Sequence, residues 1–263
     1  MALRNPNPVL STSFDEKGKQ PFAPMPETSG SDNGTTTPVS AAMTMEGTVN
    51  KTGLLLLLLA GAAAFPYLGP VAIVEMLLPL YIPLILVTIG IAFAVARKPH
   101  LAGKLAVAYA LLEGLLLGVI SKILDANYPG IASQALMLTL GVAAGMLFLY
   151  RARVINVTRN FRIAVTAATL GVFLAYMASL LGNFLGFEVP LLHENTPAGI
   201  LVSILIVGLA AANLALDFDF VERGVAEKYP RDYEWVGAFG LVVTLAWLYI
   251  EILRLLAKLR SRD

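Results

Sequence analysis

Uninterrupted apolar runs of about 20 residues recur along this chain after Lys51. A helix of about 20 residues crosses the ~30 Å hydrocarbon core of a bilayer. Only 14% of the residues are charged, against about 25% in an ordinary soluble domain. Because backbone groups in lipid must hydrogen-bond within their own segment, each run should be helical. The sequence therefore predicts an all-α integral membrane protein embedded in the lipid bilayer.

Two regions of different composition divide the chain. Residues 1–50 are rich in Pro, Ser, Thr and Gly and hold no apolar run, so they bury too little apolar surface to offset their ordering entropy. We predict a disordered cytoplasmic tail at 1–50 and a seven-helix transmembrane domain at 51–263. The seven spans are expected near 52–68, 71–96, 104–121, 131–150, 161–184, 197–217 and 235–256.

Basic residues in the short loops indicate the orientation, because cytoplasmic loops are enriched in Lys and Arg. The loops on the side of the N-terminus hold ten such residues, and those on the other side hold only Lys122; the ten are Arg97, Lys98, Lys104, Arg151, Arg153, Arg159, Arg162, Arg223, Lys228 and Arg231. This places the N-terminus in the cytoplasm. Seven crossings from a cytoplasmic N-terminus would put four basic residues near the C-terminus on the outer side, against this rule; they are Arg254, Lys258, Arg260 and Arg262. A last helix that re-enters the membrane would remove the conflict, so the side of the C-terminus stays open.

Composition also excludes several kinds of chemistry. The chain has no cysteine and two histidines, which rules out disulfides and thiolate chemistry. No phosphate-binding loop and no His-Glu-x-x-His zinc motif is present. A formal net charge of +1 gives no reason to expect a nucleic-acid partner. We therefore expect neither an enzyme nor a cofactor-binding protein.

Acidic residues inside the spans are the candidate functional groups, since a charge at the bilayer centre costs about 2.5–3.5 kcal/mol. Asp217 shares a helix face with Asn213, four residues earlier, whereas Asp219 shares one with Arg223 and is expected to form an ion pair at the inner surface. Glu113 lies about 13 Å from the inner end of the third span. Glu113 is therefore a candidate functional acid; the alternative is a structural role, in which its protonated carboxyl group donates a hydrogen bond to a neighbouring helix.

Two further features of the spans carry predictions. The pairs Gly114/Gly118 and Gly141/Gly145 have the small-xxx-small spacing that lets helices approach closely. Glu251, near the outer end of the last span, has Arg254 at i+3. That spacing favours a local ion pair that reaches the membrane interface.

Several segments resemble the Bax inhibitor family, and specifically its bacterial branch. They are Arg4-Asn-Pro-Asn-Pro-Val-Leu-Ser, the span that ends at Arg97, Leu112-Glu-Gly-Leu-Leu-Leu-Gly, Leu216-Asp-Phe-Asp-Phe and the last span from Ala238 to Arg254. The resemblance implies seven helices in a bacterial plasma membrane and a pH-sensitive calcium leak. It also implies a pore closed by two aspartates on the last two helices, assisted by an arginine. Asp217 matches the first aspartate, and Arg97 matches the arginine, which we expect to form an ion pair with Asp217.

The second aspartate of that family has no direct counterpart here. An ungapped comparison of the last span puts Thr244 at its position, whereas a comparison of Leu-Tyr-Ile-Glu-Ile puts Glu251 there. We favour Thr244 and predict that Glu113 supplies the missing carboxylate. Glu113 and Thr244 both lie about nine residues from the inner ends of spans that run in the same direction, so they should lie at similar depth in the membrane. Asp217 is expected beside Thr244, and we therefore predict that the carboxyl groups of Glu113 and Asp217 lie within about 6 Å of each other.

These expectations combine into one function and one alternative. The leading prediction is a passive cation leak for calcium, with Asp217 and Glu113 as metal ligands and as the pH-titrating gate. Thr244, Asn213, Arg97 and Glu251 complete the expected ion pathway. The alternative is a non-conducting regulator that binds another membrane protein, such as a quality-control protease.

Overall fold

The part of the chain that the structure describes contains seven helices that are long and apolar enough to cross a membrane. The structure is a computed structural model that describes residues 42–185 and 196–261. The predicted all-α bundle of seven transmembrane helices is confirmed, and the chain is an integral membrane protein. The helices are α1 (Met45–Leu68), α2 (Val71–Arg97), α3 (Ala102–Asn127), α4 (Ile131–Arg151), α5 (Arg159–Leu185), α6 (Pro197–Ala226) and α7 (Tyr233–Arg260).

Helix α1 begins earlier than the sequence predicts. The predicted tail ends at residue 50, but the hydroxyl of Thr44 accepts a hydrogen bond from the backbone N–H of Gly47 at 3.0 Å and caps a helix that starts at Met45. Hydropathy misses this first turn because Glu46 and Asn50 are polar. Residues 42–50 therefore belong to the folded domain, and the rest of the predicted tail lies outside the described residues.

A one-turn break interrupts α2. Residues Leu78–Leu80 form a 3-10 turn between the helical segments Val71–Leu77 and Tyr81–Arg97. Pro79, which lacks a backbone N–H, lies in that turn. Pro66, in contrast, lies inside α1 without interrupting it.

Glycines on α3 allow α1 to pack against it along most of its length. A Cβ added at Gly114 would collide with the carbonyl oxygen of Leu59, and one at Gly118 with that of Ala63. The small-xxx-small interpretation of this pair is confirmed. The same interpretation is wrong for Gly141 and Gly145 on α4, because no neighbouring atom of the described segments lies within 4 Å of a Cβ at either position.

The bundle has two ends, which we name the proximal side, where α1 begins, and the distal side, where α1 ends. Helix α7 is continuous over 28 residues, or about 42 Å, so it crosses the bundle and does not re-enter. Its first turn contacts Thr44, and Arg260 near its end donates to the carbonyl oxygen of Pro129 at 2.9 Å. Residue 260 therefore lies on the distal side, opposite the start of α1.

The new start of α1 leads to a prediction about truncation. Removal of residues 1–50 deletes the Thr44 cap, worth about 1 kcal/mol, and the buried Met43 side chain, worth about 2 kcal/mol or more. We expect this truncation to lower the melting temperature in detergent by roughly 10 °C. Removal of residues 1–41 should leave the melting temperature unchanged, and equal melting temperatures for the two truncated chains would contradict the assignment.

Candidate functional site

Asp217 lies between α6 and α7 in a cradle made by two residues of α7. Thr244 is its hydrogen-bonding neighbour, and Gly240 leaves space for the carboxyl group, because a Cβ there would lie 3.2 Å from Oδ1. The other carboxyl oxygen, Oδ2, is buried and has no hydrogen-bond partner among the residues that the structure describes. An ionised carboxylate in this position would keep one oxygen desolvated and unpaired, which costs several kcal/mol.

The expected ion pair between Arg97 and Asp217 is not formed. Arg97 is exposed at the proximal end of α2, and among the residues that the structure describes it takes part in none of the ion pairs. The reason is the helix arrangement: α2 packs on α3, whereas α6 packs on α4, α5 and α7. Similar depth in the membrane did not make the two side chains neighbours.

The other polar residues of α6 tie it to α5. The predicted ion pair of Asp219 with Arg223 is confirmed at 2.8 Å, and Arg162 of α5 adds a second pair at 2.9 Å. The side-chain amide of Asn213 donates to the hydroxyl of Thr169 at 2.8 Å and to the carbonyl oxygen of Leu209 at 2.9 Å. Asn213 therefore connects α6 to α5, and neither of these two hydrogen bonds reaches Asp217.

A cavity of about 890 Å³ lies between α2, α3, α5 and α7. Its lining runs from Ala96, near the proximal end of α2, to Ala257, near the distal end of α7, so it extends along most of the bundle. Its polar lining residues are Tyr81, Thr88, Tyr109, Glu113, Tyr176, Trp247 and Arg254.

Glu113 belongs to this cavity and not to the Asp217 cradle. It is buried, 9% exposed, and its hydrogen-bonding neighbour is Thr88 of α2. Asp217 does not line the cavity, and among the described contacts none joins the two carboxyl groups. The predicted pairing of Glu113 with Asp217 is thus not formed, because the two acids lie on different sides of α7. Val243 and Trp247 of α7 face the cavity that contains Glu113, whereas Thr244 faces Asp217.

Glu251 sits in a hydrogen-bonded cluster at the distal end of the cavity. Its predicted ion pair with Arg254 is confirmed at 3.3 Å. The carboxylate is only 1% exposed, so the expectation that it reaches the membrane interface is wrong. It also accepts hydrogen bonds from the hydroxyl of Tyr176 at 2.9 Å and from the indole N–H of Trp247 at 3.1 Å. Thr244, and not Glu251, is the α7 residue beside Asp217.

Sequence reasoning missed Tyr176, Trp247 and Thr88. Each lies in an apolar helix, where an aromatic ring or a hydroxyl group is common in the packed interior and does not by itself indicate a functional site. Trp247 could have been found, since it precedes Glu251 by one helical turn and therefore shares its face. Tyr176 had no such signal, because its contact with α7 depends on how α5 packs.

The two predicted metal ligands do not share a site. Within residues 42–185 and 196–261, no group of three or more His, Asp or Glu side chains could together hold a metal ion. Each of the two acids instead has a threonine hydroxyl beside it. One carboxyl group and one hydroxyl group provide fewer oxygen ligands than the roughly six to eight that calcium takes.

Comparisons with known proteins identify one family. A sequence model of the family described as "Bax inhibitor 1 like" matches residues 7–261. No curated protein and no solved structure matches the chain.

Proposed function

The chain belongs to the Bax inhibitor 1 like family, and we propose that it is a pH-sensitive, passive leak for calcium or similar cations. The single observation that carries the proposal is the cavity between α2, α3, α5 and α7, which extends along most of the bundle and contains the Glu113 carboxyl group. In the proposed function, ions pass along this cavity, and the buried acids set how readily it opens.

The cavity supports ion passage by its size and its oxygen atoms. A volume of about 890 Å³ far exceeds the ~10–15 Å³ that one water molecule requires. The hydroxyl groups of Tyr81, Thr88 and Tyr109 and the carboxyl group of Glu113 provide the hard oxygen ligands that calcium prefers. Most of the remaining lining is apolar, which suits a slow leak better than a fast channel.

Charge in the cavity favours cations. Glu113 is the acidic lining residue and Arg254 the basic one. Glu251 neutralises Arg254 through their ion pair. An ionised Glu113 therefore leaves the cavity with a net negative charge, which attracts cations and repels anions.

Asp217 supports the pH dependence. Its Oδ2 is buried without a hydrogen-bond partner in the described part of the chain, so loss of the proton disfavours this packing of the helices, which we take as the closed state. Because Thr244 follows the cavity-lining Val243 on α7, a shift of α7 away from Asp217 would also change the width of the cavity. Protonation stabilises the closed state, and the leak should therefore be present at high pH and lost as the pH falls.

Replacement of Glu113 by glutamine tests the ion pathway. The substitution removes the negative charge of the cavity, so we expect calcium flux into proteoliposomes to fall about tenfold at neutral pH, while a pH dependence due to Asp217 remains. Flux is measured with calcium, sodium and potassium at two pH values. Glu75→Gln is the matched control, because Glu75 is exposed at the distal start of α2 and its replacement should not change the flux.

The same assay distinguishes the leak from the alternative function. A regulator that binds another membrane protein gives no flux above that of empty vesicles, even though the purified protein melts cooperatively. Equal flux for the unmodified protein and Glu113→Gln would remove Glu113 from the pathway.

A further inference from the structure

The chain segment before and at the start of α1 is bound to the proximal loop between α6 and α7. We call residues 42–51 the N-terminal strap. Ala42 forms an antiparallel bridge with Pro230, and the backbone N–H of Met43 donates to the carbonyl oxygen of Tyr229 at 2.7 Å. The strap thus crosses the proximal end of the α6–α7 pair before α1 enters the bundle.

Glu234, in the first turn of α7, holds the strap in place. It is 1% exposed, and its Oε1 accepts hydrogen bonds from the backbone N–H of Thr44 at 2.9 Å and from the Thr44 hydroxyl at 2.8 Å. Its Oε2 forms an ion pair with Lys51, whose ammonium group lies 5.3 Å from the centre of the Trp235 ring. A buried carboxylate with these partners fixes both ends of the strap.

The side chain of Met43 fills a gap between two glycines. It is 2% exposed; a Cβ added at Gly224 of α6 would lie 2.6 Å from its Sδ, and one at Gly237 of α7 would lie 3.5 Å from its Cε. The strap therefore reaches the space that both glycines leave open: Met43 is the nearest neighbour of a Cβ at Gly224, and it shares the space beside Gly237 with Thr48 of the strap and Val221 of α6.

Met43 lies directly outside the Asp217 cradle. A Cβ at Gly237 would also lie 3.0 Å from Val221, and Val221 follows Asp217 by four residues, or about one helical turn. Gly240, which faces Asp217, follows Gly237 by three residues. Along the α6–α7 interface the order from the proximal side is therefore Met43, then Val221 with Gly237, then Asp217 with Gly240.

We propose that the N-terminal strap is an autoinhibitory plug: Met43 seals the proximal end of the Asp217 cradle, and undocking of the strap admits water to it. Water that reaches Asp217 solvates its unpaired Oδ2 and removes the cost of ionising it, so undocking opens the leak. This regulation rests on the proposed function, but the sealing itself can be tested without any flux measurement.

A single introduced thiol reports whether the strap is docked. The chain has no cysteine, so Val221→Cys places one thiol between Met43 and Asp217, at a position that is 4% exposed. A charged maleimide should label the purified full-length protein slowly. With Met43→Ala added, we expect labelling about tenfold faster, because the plug loses most of its side chain. Met45→Ala is the matched control, since Met45 is 47% exposed and should leave the labelling rate unchanged.

The outcomes separate the plug from the leak. Faster labelling accompanied by a larger calcium flux supports both proposals, whereas faster labelling with unchanged flux supports the plug and overturns the leak. Equal labelling rates with Met43→Ala and Met45→Ala overturn the plug whatever the flux. If Met43→Ala lowers the melting temperature too far to purify, Glu234→Gln, which weakens the ion pair with Lys51, gives the same test.

Discussion

Replacing Asp217 by asparagine should hold the leak near its low-pH level from about pH 6 to about pH 8. The asparagine side chain has the shape of the protonated acid but cannot ionise, so the closed state loses its sensitivity to pH. In the unmodified protein, we expect calcium flux to rise about tenfold or more over this range, as the ionised carboxylate disfavours the closed bundle. The measurement is calcium entry into proteoliposomes at fixed calcium and varied pH.

Asp219→Asn is the matched control for this experiment. Asp219 lies two residues away on the same helix, and it is paired with Arg162 and Arg223. Its replacement should leave the pH dependence in place. If calcium flux still rises with pH in Asp217→Asn but no longer does so in Asp219→Asn, the pH-sensing group is Asp219 with its ion pairs on the proximal side and not Asp217.

Replacing Gly118 by valine should strongly destabilise the protein. Any side chain at this position collides with the backbone of Ala63 and the ring of Pro66, so α1 must move away from α3. Overpacking of this kind costs about 3 kcal/mol or more when the neighbour is backbone. For a chain of this size we expect a melting temperature in detergent that is lower by roughly 10 °C, or failure to accumulate in the membrane.

Gly141→Val on α4 is the control of equal chemistry. Nothing lies within 4 Å of a Cβ at Gly141, so the added side chain meets no described neighbour and the melting temperature should stay within about 2 °C. If both substitutions destabilise the protein equally, the loss does not come from the contact between α1 and α3.

The sequence predicts the helices well because each span is set by a local property. Length and hydropathy are sufficient to predict seven spans. The predicted bounds differ from the observed ones mainly where a helix end is polar, as at Glu46 and Asn50 in the first turns of α1. The paired glycines illustrate the limit of this reasoning. Gly114/Gly118 and Gly141/Gly145 have the same spacing, yet only the first pair faces another helix, since spacing does not report which face is covered.

The site is predicted in part for the same reason. Asp217 stands out because a buried acid is costly, and Thr244 lies beside it as the comparison of the last span suggests. Arg97 and Glu113 were assigned to Asp217 from similar depth, but depth does not determine which helices are neighbours. Met43, like Tyr176, carries no local signal of its contact, because that contact forms only when distant segments pack together.

The basic end of α7 constrains the order in which the protein assembles in the membrane. Lys258, 4% exposed, donates to the carbonyl oxygen of Gly199 and to the hydroxyl of Ser203 on α6, and Arg254 contacts Tyr176 on α5. Until those partners are in place, both cations must extend to the membrane interface near the end of α7 to stay solvated. The distal end of α7 therefore gains these hydrogen bonds only when α5 and α6 are already in place, so α7 completes its packing after those two helices.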